Sequence, residues 1–109
     1  MWKTNTSEAT IFFPLKEGEE VVEGAFYEVV DGYAQELDGA EPTGAIVGVC
    51  IGGGDQSEKG KILLDIDPTS IYEEAYDEAD VPTIGEVIDY VKVVISVNTA
   101  AKTYRFMKP

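Results

Sequence analysis

The chain lacks histidine altogether and has a single cysteine among its 109 residues. Histidine is the commonest general base and metal ligand near neutral pH, so its absence excludes any Ser-His-Asp triad, Cys-His pair or histidine-containing zinc site within the chain. Cys50 cannot form an intrachain disulfide, and its position in the apolar run 45–51 is typical of a small core residue. We therefore predict no catalytic residue, no cofactor and no metal site.

Basic residues are also scarce. The chain has 8 Lys and Arg and 21 Asp and Glu, which gives a net charge of −13. A surface this negative repels phosphates and anionic lipid headgroups, so we expect neither nucleic acid nor a membrane as partner. A basic partner surface, a cation and simple solubility remain as explanations of the acidity.

Long apolar runs are missing as well. No stretch approaches the roughly 20 residues of a membrane-spanning helix, and the first residues lack the apolar core of a signal peptide. We expect a protein made in a cytoplasm and not exported by the general route. Its length fits one domain, and its 44% apolar content is enough for a packed core.

Short β-branched and aromatic segments separated by Gly, Asp and Pro turns dominate the rest of the chain and predict a mainly β fold. Pro14 favours an edge or a strand end, Gly24 a bulge or bend, and Asp31-Gly32 a hairpin turn. Strands are predicted at 10–15, 21–30, 33–37, 45–51, 61–67, 86–97 and 102–107.

Residues 69–80 fit two structures. Apolar residues recur there at helical spacing, and Thr69 or Ser70 with Glu73 resembles a capping box, which slightly favours a short helix. An irregular strand with Tyr72 and Tyr76 on one side is the alternative.

Six to eight short strands about 10 residues apart suggest a small single-domain β-barrel or β-sandwich. Residues 1–15 are predicted to form an extended N-terminal arm and edge strand, and residues 16–109 a β-rich domain. In the arm, Trp2 either folds back on the core or anchors the arm in a neighbour, since Trp is a preferred interface residue.

Four candidate sites are weak. Gly54–Lys61 has five residues between its glycines, where a phosphate loop needs four, so a mobile hairpin loop is the better interpretation. Asp65 and Asp67, with the acids of 73–80, fit a solvated face better than a Ca²⁺ site, because the full calcium loop is missing. A glycosidase would need two converging carboxylates, and a carbohydrate-binding module a row of exposed aromatic side chains.

Several segments together show a resemblance. A series of predicted strands rich in β-branched residues is interrupted by glycines, and the chain ends in a Val/Ile hairpin. The segments are Glu19–Tyr27, Asp31–Ala34, Pro42–Val49 and Lys61–Pro68. This pattern resembles the small head decoration (capsid cement) proteins of tailed bacteriophages, over most of residues 17–107. Its motifs are glycine and β-branched patterns without a diagnostic set of residues.

The resemblance implies a non-enzymatic module made in the bacterial host cytoplasm and located on the outer capsid surface of the virion. Such proteins bridge neighbouring major capsid protein subunits and are often homotrimers, sometimes monomers. The arm would clamp the shell by edge-strand pairing. The residues expected to contact the capsid are Trp2, Ile11, Phe12 and Phe13. Another virion or tail accessory protein, a carbohydrate-binding module and a small hydrolase are the alternatives.

Overall fold

A computed structural model describes residues 1–6, 9–51 and 60–109. Within these ranges the chain forms ten β-strands and no helix, and therefore none long and apolar enough to cross a membrane. The strands are β1 (Trp2–Lys3), β2 (Thr10–Pro14), β3 (Phe26–Val30), β4 (Tyr33–Glu36), β5 (Ile46–Cys50), β6 (Lys61–Asp65), β7 (Tyr72–Ala75), β8 (Val87–Ile88), β9 (Lys92–Asn98) and β10 (Thr103–Met107). The prediction of a mainly β protein is confirmed.

The chain divides into two compact units. The central unit, Glu8–Asp67, contains an antiparallel sheet in the order β2-β6-β5-β3-β4. The terminal unit, Met1–Ser7 with Pro68–Pro109, contains a second antiparallel sheet in the order β1-β7-β10-β9-β8. Neither sheet closes into a barrel over the described strands.

In the central unit, residues with positive φ form the turn between β3 and β4 and the bend before β3. Asp31 and Gly32 both have positive φ, 52° and 83°, as a two-residue hairpin between β3 and β4 requires, which confirms the predicted turn. Gly24, at φ 83°, supplies the predicted bend before β3. β5 lies at the centre of the sheet. The buried core cluster consists of Tyr27, Ala34, Cys50, Ile62 and Leu64.

In the terminal unit, the buried aromatic rings come from β7 and β10. Phe106 is fully buried, with the ring of Tyr72 stacked 5.9 Å away and that of Tyr104 5.7 Å away, centroid to centroid. The pairing of β10 with β9 shifts between Arg105 and Phe106, which leaves Ile95 as the extra residue of a β-bulge.

Two predictions are wrong in this unit. The slightly favoured helix within 69–80 is a strand, because β7 pairs with β1 on one side and β10 on the other, which outweighs a weak helical pattern. The single strand predicted at 86–97 is a hairpin, because Asp89 and Tyr90 have φ of 50° and 67° and reverse the chain between β8 and β9.

The expected N-terminal arm is not free. Trp2 and Lys3 pair with β7 in the terminal unit, and residues 10–14 pair with β6 along the whole length of β2. The prediction that the segment ends in an edge strand is confirmed for β2.

Candidate functional site

The residues expected to contact a capsid lie in two strands. Trp2, in β1, is 50% exposed and faces Glu73 across the strand pair. Ile11 and Phe12, in β2, are 46% and 44% exposed. Phe13 is half-buried and packs against the core cluster of the central unit. Ile11 and Phe12 are therefore the exposed apolar side chains of the predicted edge strand.

The hydrogen bonds of β2 reveal which backbone groups face outward. The N–H of Leu15 donates to the carbonyl of Gly60, and that of Ile66 donates to the carbonyl of Ala9 at 2.9 Å. Because backbone groups alternate in direction along an antiparallel strand, the odd-numbered residues of β2 bond to β6. Thr10 and Phe12 consequently turn their N–H and C=O groups away from the sheet.

These outward groups have no counterpart in the described sheet. β2 is the first strand of its sheet, and the described residues supply no hydrogen-bond partner to the N–H groups of Thr10 and Phe12. Pro14 has the same outward orientation but carries no N–H, so it limits how far a further strand can pair. The open edge, defined here as residues 10–12 of β2, is therefore short and offers two backbone donors.

The opposite edge of the same sheet is covered. Just after β2, the N–H of Lys16 donates to the carbonyl of Ala34 in β4 at 2.9 Å, and Leu15 forms an isolated parallel bridge with Ala34. The N–H of Glu36 is met by a carboxylate oxygen of Glu19 at 3.3 Å. Natural sheets protect their edges in this way. Because Lys16 continues β2 and has the same outward orientation as Thr10 and Phe12, β4 covers this side of the strand at its end, and only residues 10–12 have no described strand beside them.

Charge is distributed unevenly between the two units. The central unit holds 14 acidic and 3 basic residues, a net of −11, and the terminal unit holds 7 acidic and 5 basic residues, a net of −2. The open edge therefore belongs to the strongly negative unit, whose field favours approach of a positively charged surface.

A buried carboxylate pins the loop after β4 to the central sheet. Glu28, in β3, is 5% exposed, and one of its oxygens accepts hydrogen bonds from the N–H groups of Thr43 at 2.8 Å and Gly44 at 2.7 Å. Gln35 donates to the other oxygen at 3.3 Å. Burial raises the pKa of Glu28, but these hydrogen bonds outweigh it and hold the pKa below its ordinary value. The group is a structural anchor.

A second polar network lies in the terminal unit. The Glu74 carboxylate accepts from Lys92 Nζ at 2.8 Å and from the Tyr104 hydroxyl at 2.7 Å, and Lys92 Nζ also lies 5.3 Å from the ring centroid of Phe106. Burial raises the pKa of Glu74, yet the two hydrogen bonds hold it below its ordinary value. Burial and then the bond to Glu74 raise the pKa of Tyr104. An ionised carboxylate that accepts hydrogen bonds from Lys92 and Tyr104 is a poor general acid, and these bonds connect β7 with β9 and β10.

The described cavities are small. One of about 140 Å³ lies beside Arg105, and one of about 260 Å³ is rimmed by Asp77, Asp80 and Glu86. Small-molecule sites usually measure roughly 300–1,000 Å³. No group of three acidic or sulfur ligands that fits a metal ion exists among the described residues. The phosphate-loop comparison falls largely on residues 52–59, which lie outside those the structure describes.

The acids considered for a cation have other partners. Asp65 is buried and accepts from the N–H of Asp67 at 3.0 Å, and both belong to the central unit. In the terminal unit, Glu73 pairs with Arg105 at 3.0 Å and Glu78 pairs with Lys102. These contacts occupy the carboxylates of Asp65, Glu73 and Glu78.

Exposed aromatic residues do not form a row within either described unit. In the terminal unit, Trp2 and Tyr90 lie at opposite edges of the sheet, four strands apart and thus roughly 19 Å. In the central unit, the exposed pair is Phe12 and Tyr33. A carbohydrate-binding face of stacked rings finds no support in these positions.

Buried reactive groups of the central unit are inert. Burial raises the pKa of the Cys50 thiol to about 11, so little thiolate exists at neutral pH. The Tyr27 hydroxyl donates to the carbonyl of Glu20 at 2.6 Å and accepts from the N–H of Val22 at 2.9 Å, and burial raises its pKa to about 12. Both side chains serve packing.

The sequence-based search missed Glu28 and the Glu74 network. A weak signal existed for Glu28, since it is a charged residue inside the apolar strand Phe26–Val30. For Glu74 no local signal existed, because Lys92 and Tyr104 lie 18 and 30 residues away along the chain.

No protein family, curated protein or solved structure matches this chain.

Proposed function

We propose that the protein is a non-enzymatic binding module that docks on another protein by adding a strand of its partner to the open edge of β2. The observation that carries the proposal is the pair of outward N–H groups at Thr10 and Phe12, beside the exposed side chains of Ile11 and Phe12. Strand addition combines main-chain hydrogen bonds with side-chain contacts, and this edge offers two backbone donors with one exposed apolar side chain on each face of the strand.

The partner in this proposal is the major capsid protein of a tailed bacteriophage, with the module on the outer surface of the assembled head. The resemblance over most of residues 17–107 supports it, as does the acidity, which disfavours nucleic acid. A β-sandwich is the finer fold, and a homotrimer the assembly, that belong to the same proposal.

The test adds purified protein to heads stripped of accessory proteins and measures co-sedimentation. Thr10→Pro removes one outward N–H at an edge position that tolerates proline, whereas the matched control Thr10→Val keeps it. We expect T10P to weaken binding at least fivefold and T10V to bind like the parent chain. Circular dichroism and a melting curve establish that both variants are folded.

Phe12→Ser supplies a second variant, since it removes exposed apolar area and retains the backbone donor. We expect several-fold weaker binding. Equal binding by T10P, F12S and the parent chain would refute docking through this edge. Absence of the chain from purified particles, determined by mass spectrometry, would refute the capsid as its partner.

A further inference from the structure

The terminal unit carries a group of exposed apolar side chains in the loop before β8, in β8 itself and in the turn after it. Val81, Ile84, Val87 and Tyr90 are each more than half exposed. Soluble proteins normally expose such side chains singly, whereas several of them together mark a contact surface. The segment 81–90 is therefore the candidate contact surface of this unit.

A groove of about 260 Å³ lies beside this segment. Pro82 and Ile88, from the segment itself, line the groove together with Ala75 and the tyrosines Tyr76 and Tyr104. Its volume is below the roughly 300–1,000 Å³ of ordinary small-molecule sites, so the groove suits a single side chain better than a whole ligand.

Three carboxylates at the rim of the groove keep unused acceptor oxygens. Within the described ranges, the carboxylate of Asp77 accepts only the N–H of Ala79 at 3.0 Å, and that of Glu86 only the N–H of Thr83 at 2.9 Å, each through one oxygen. Asp80 is exposed, and no described residue bonds to its carboxylate. The rim therefore offers accessible negative charge.

The other carboxylates of the terminal unit are mostly neutralised. Three of its seven acids form the ion pairs Glu73–Arg105, Glu74–Lys92 and Glu78–Lys102. The four acids without an ion pair among the described residues are Asp77, Asp80, Glu86 and Asp89. The excess negative charge of the unit is thus concentrated around the groove.

The titration of Tyr104 shows that this charge reaches the groove wall. Burial and the Glu74 carboxylate raise the pKa of Tyr104 most, and the charges of Asp89 and Glu86 raise it further. An apolar groove under a negative field is complementary to a cation that also has apolar surface.

We propose that the terminal unit docks on a partner protein by taking an exposed arginine of that partner into the groove, while apolar neighbours of the arginine lie on Val81, Ile84 and Val87. The flat guanidinium packs on tyrosine rings and donates to carboxylates, and arginine is a preferred interface residue. The proposal goes beyond docking through β2 and does not depend on it.

A second copy of the chain is a poor source of the arginine. Arg105 is the only arginine of the sequence, and it already pairs with Glu73 at 3.0 Å. A small cation would leave the exposed apolar segment uncovered. The occupant is therefore a different protein that presents arginine among apolar side chains.

Two short blocked peptides test the proposal. One has leucines on both sides of an arginine, and the other has citrulline, a neutral side chain of similar shape, in place of the arginine. In NMR titrations of isotope-labelled protein at low salt, we expect the arginine peptide to shift the amide signals of residues 76–89 and to bind at least fivefold tighter than the citrulline peptide. The preference falls toward one in about 1 M salt, where the Debye length is about 3 Å. Absence of these shifts at millimolar peptide overturns the proposal.

A matched pair of variants tests the charge of the rim. Asp80→Asn removes a carboxylate that bonds to no described residue, and we expect it to weaken binding of the arginine peptide at least threefold without affecting the citrulline peptide. Asp31→Asn makes the same change in the Asp31-Gly32 turn, which accepts Asn equally well, and should bind like the parent chain. Equal binding by D80N and D31N would contradict the proposal.

Ile84→Ser tests the apolar part of the surface. It removes exposed apolar area and leaves the rim charges in place, so we expect weaker binding of both peptides by a similar factor. Melting curves establish that this variant and D80N are folded. Unchanged affinities in I84S would refute the apolar contact.

The remaining outcomes identify other occupants. T10P should bind the arginine peptide like the parent chain, and loss of binding in T10P would place the peptide at β2 and overturn the proposal. Blocked arginine amide that binds as tightly as the peptide would make the groove a small-molecule site. Displacement of the peptide by Ca²⁺ at the same amides would make it a metal site. Either result overturns the protein partner.

Discussion

Replacing Glu28 by Gln tests how the central unit is held together. The substitution keeps the size of the side chain and one acceptor oxygen, but removes the charge that receives the N–H groups of Thr43 and Gly44. Gln35 donates to the second oxygen of Glu28. In the variant, the amide nitrogen of the new Gln side chain can occupy that position, and two donors would then face each other. The loop after β4 loses its charged anchor while the shape of the core is preserved.

The expected loss follows from the strength of these bonds. Hydrogen bonds to a charged group contribute about 1.5–3 kcal/mol each, and neutral ones about 0.5–1.5 kcal/mol. Weakening the two short backbone bonds by about 1 kcal/mol each lowers the free energy of unfolding by roughly 2 kcal/mol at pH 7. For a domain of this size, that corresponds to a drop in Tm of roughly 10 °C.

The stabilisation that Glu28 provides decreases as the pH falls. The pKa of Glu28 is lower in the folded protein than the value of about 4.3 in an unfolded chain. Its stabilising contribution is therefore present above about pH 4.3 and is lost as the pH falls through the folded-state pKa. Protonated Glu28 resembles Gln, so the difference between the parent chain and E28Q shrinks at low pH.

The assay is urea unfolding followed by circular dichroism at pH 7 and at pH 3. Glu41→Gln is the matched control, because Glu41 is an exposed carboxylate in the same loop, and we expect it to change stability by less than about 0.5 kcal/mol. The reasoning fails if E28Q and E41Q are equally stable at pH 7, or if the E28Q deficit is as large at pH 3 as at pH 7.

Three further predictions concern other parts of the fold. Tyr104→Phe removes the hydroxyl that donates to Glu74, and we expect a loss of about 1–2 kcal/mol in urea unfolding; an unchanged midpoint would show that the bond contributes nothing. Gly44→Ala places a Cβ in steric overlap with the carbonyl oxygen of Val29, so it should cost about 1–3 kcal/mol in the same assay, and a neutral result would contradict the close approach. Cys50 is buried with a raised pKa, so a thiol reagent at pH 8 should react at least a hundredfold faster in denaturant than in the native state; equal rates would place the thiol at the surface.

Part of the fold was predictable because short-range rules decide it. The Asp31-Gly32 turn has the positive φ values that those residue types tolerate, and the strand patterns at β2, β5, β6 and β10 coincide with observed strands. The absence of histidine and the net charge of −13 limited the possible catalytic sites and partners, because both follow from composition alone.

For the candidate site, sequence patterns identified the edge strand but not which of its backbone groups turn outward. Pro14 indicated an edge, and Ile11 and Phe12 are indeed exposed. Which backbone groups turn outward depends on the register of β2 against β6, a pairing across about 50 residues of chain. That register also assigned Phe13 to the side that packs on the core cluster.

By itself, then, the sequence determined a histidine-free, acidic, mainly β chain with its hairpin at residues 31 and 32. Tertiary structure alone decided that Tyr72–Ala75 is a strand, that Asp89 and Tyr90 reverse the chain, and that Glu28 and Glu74 are anchored. The physical reason is distance along the chain. Turn and strand preferences act between neighbours, whereas strand pairing and buried hydrogen bonds join residues that meet only after the chain has folded.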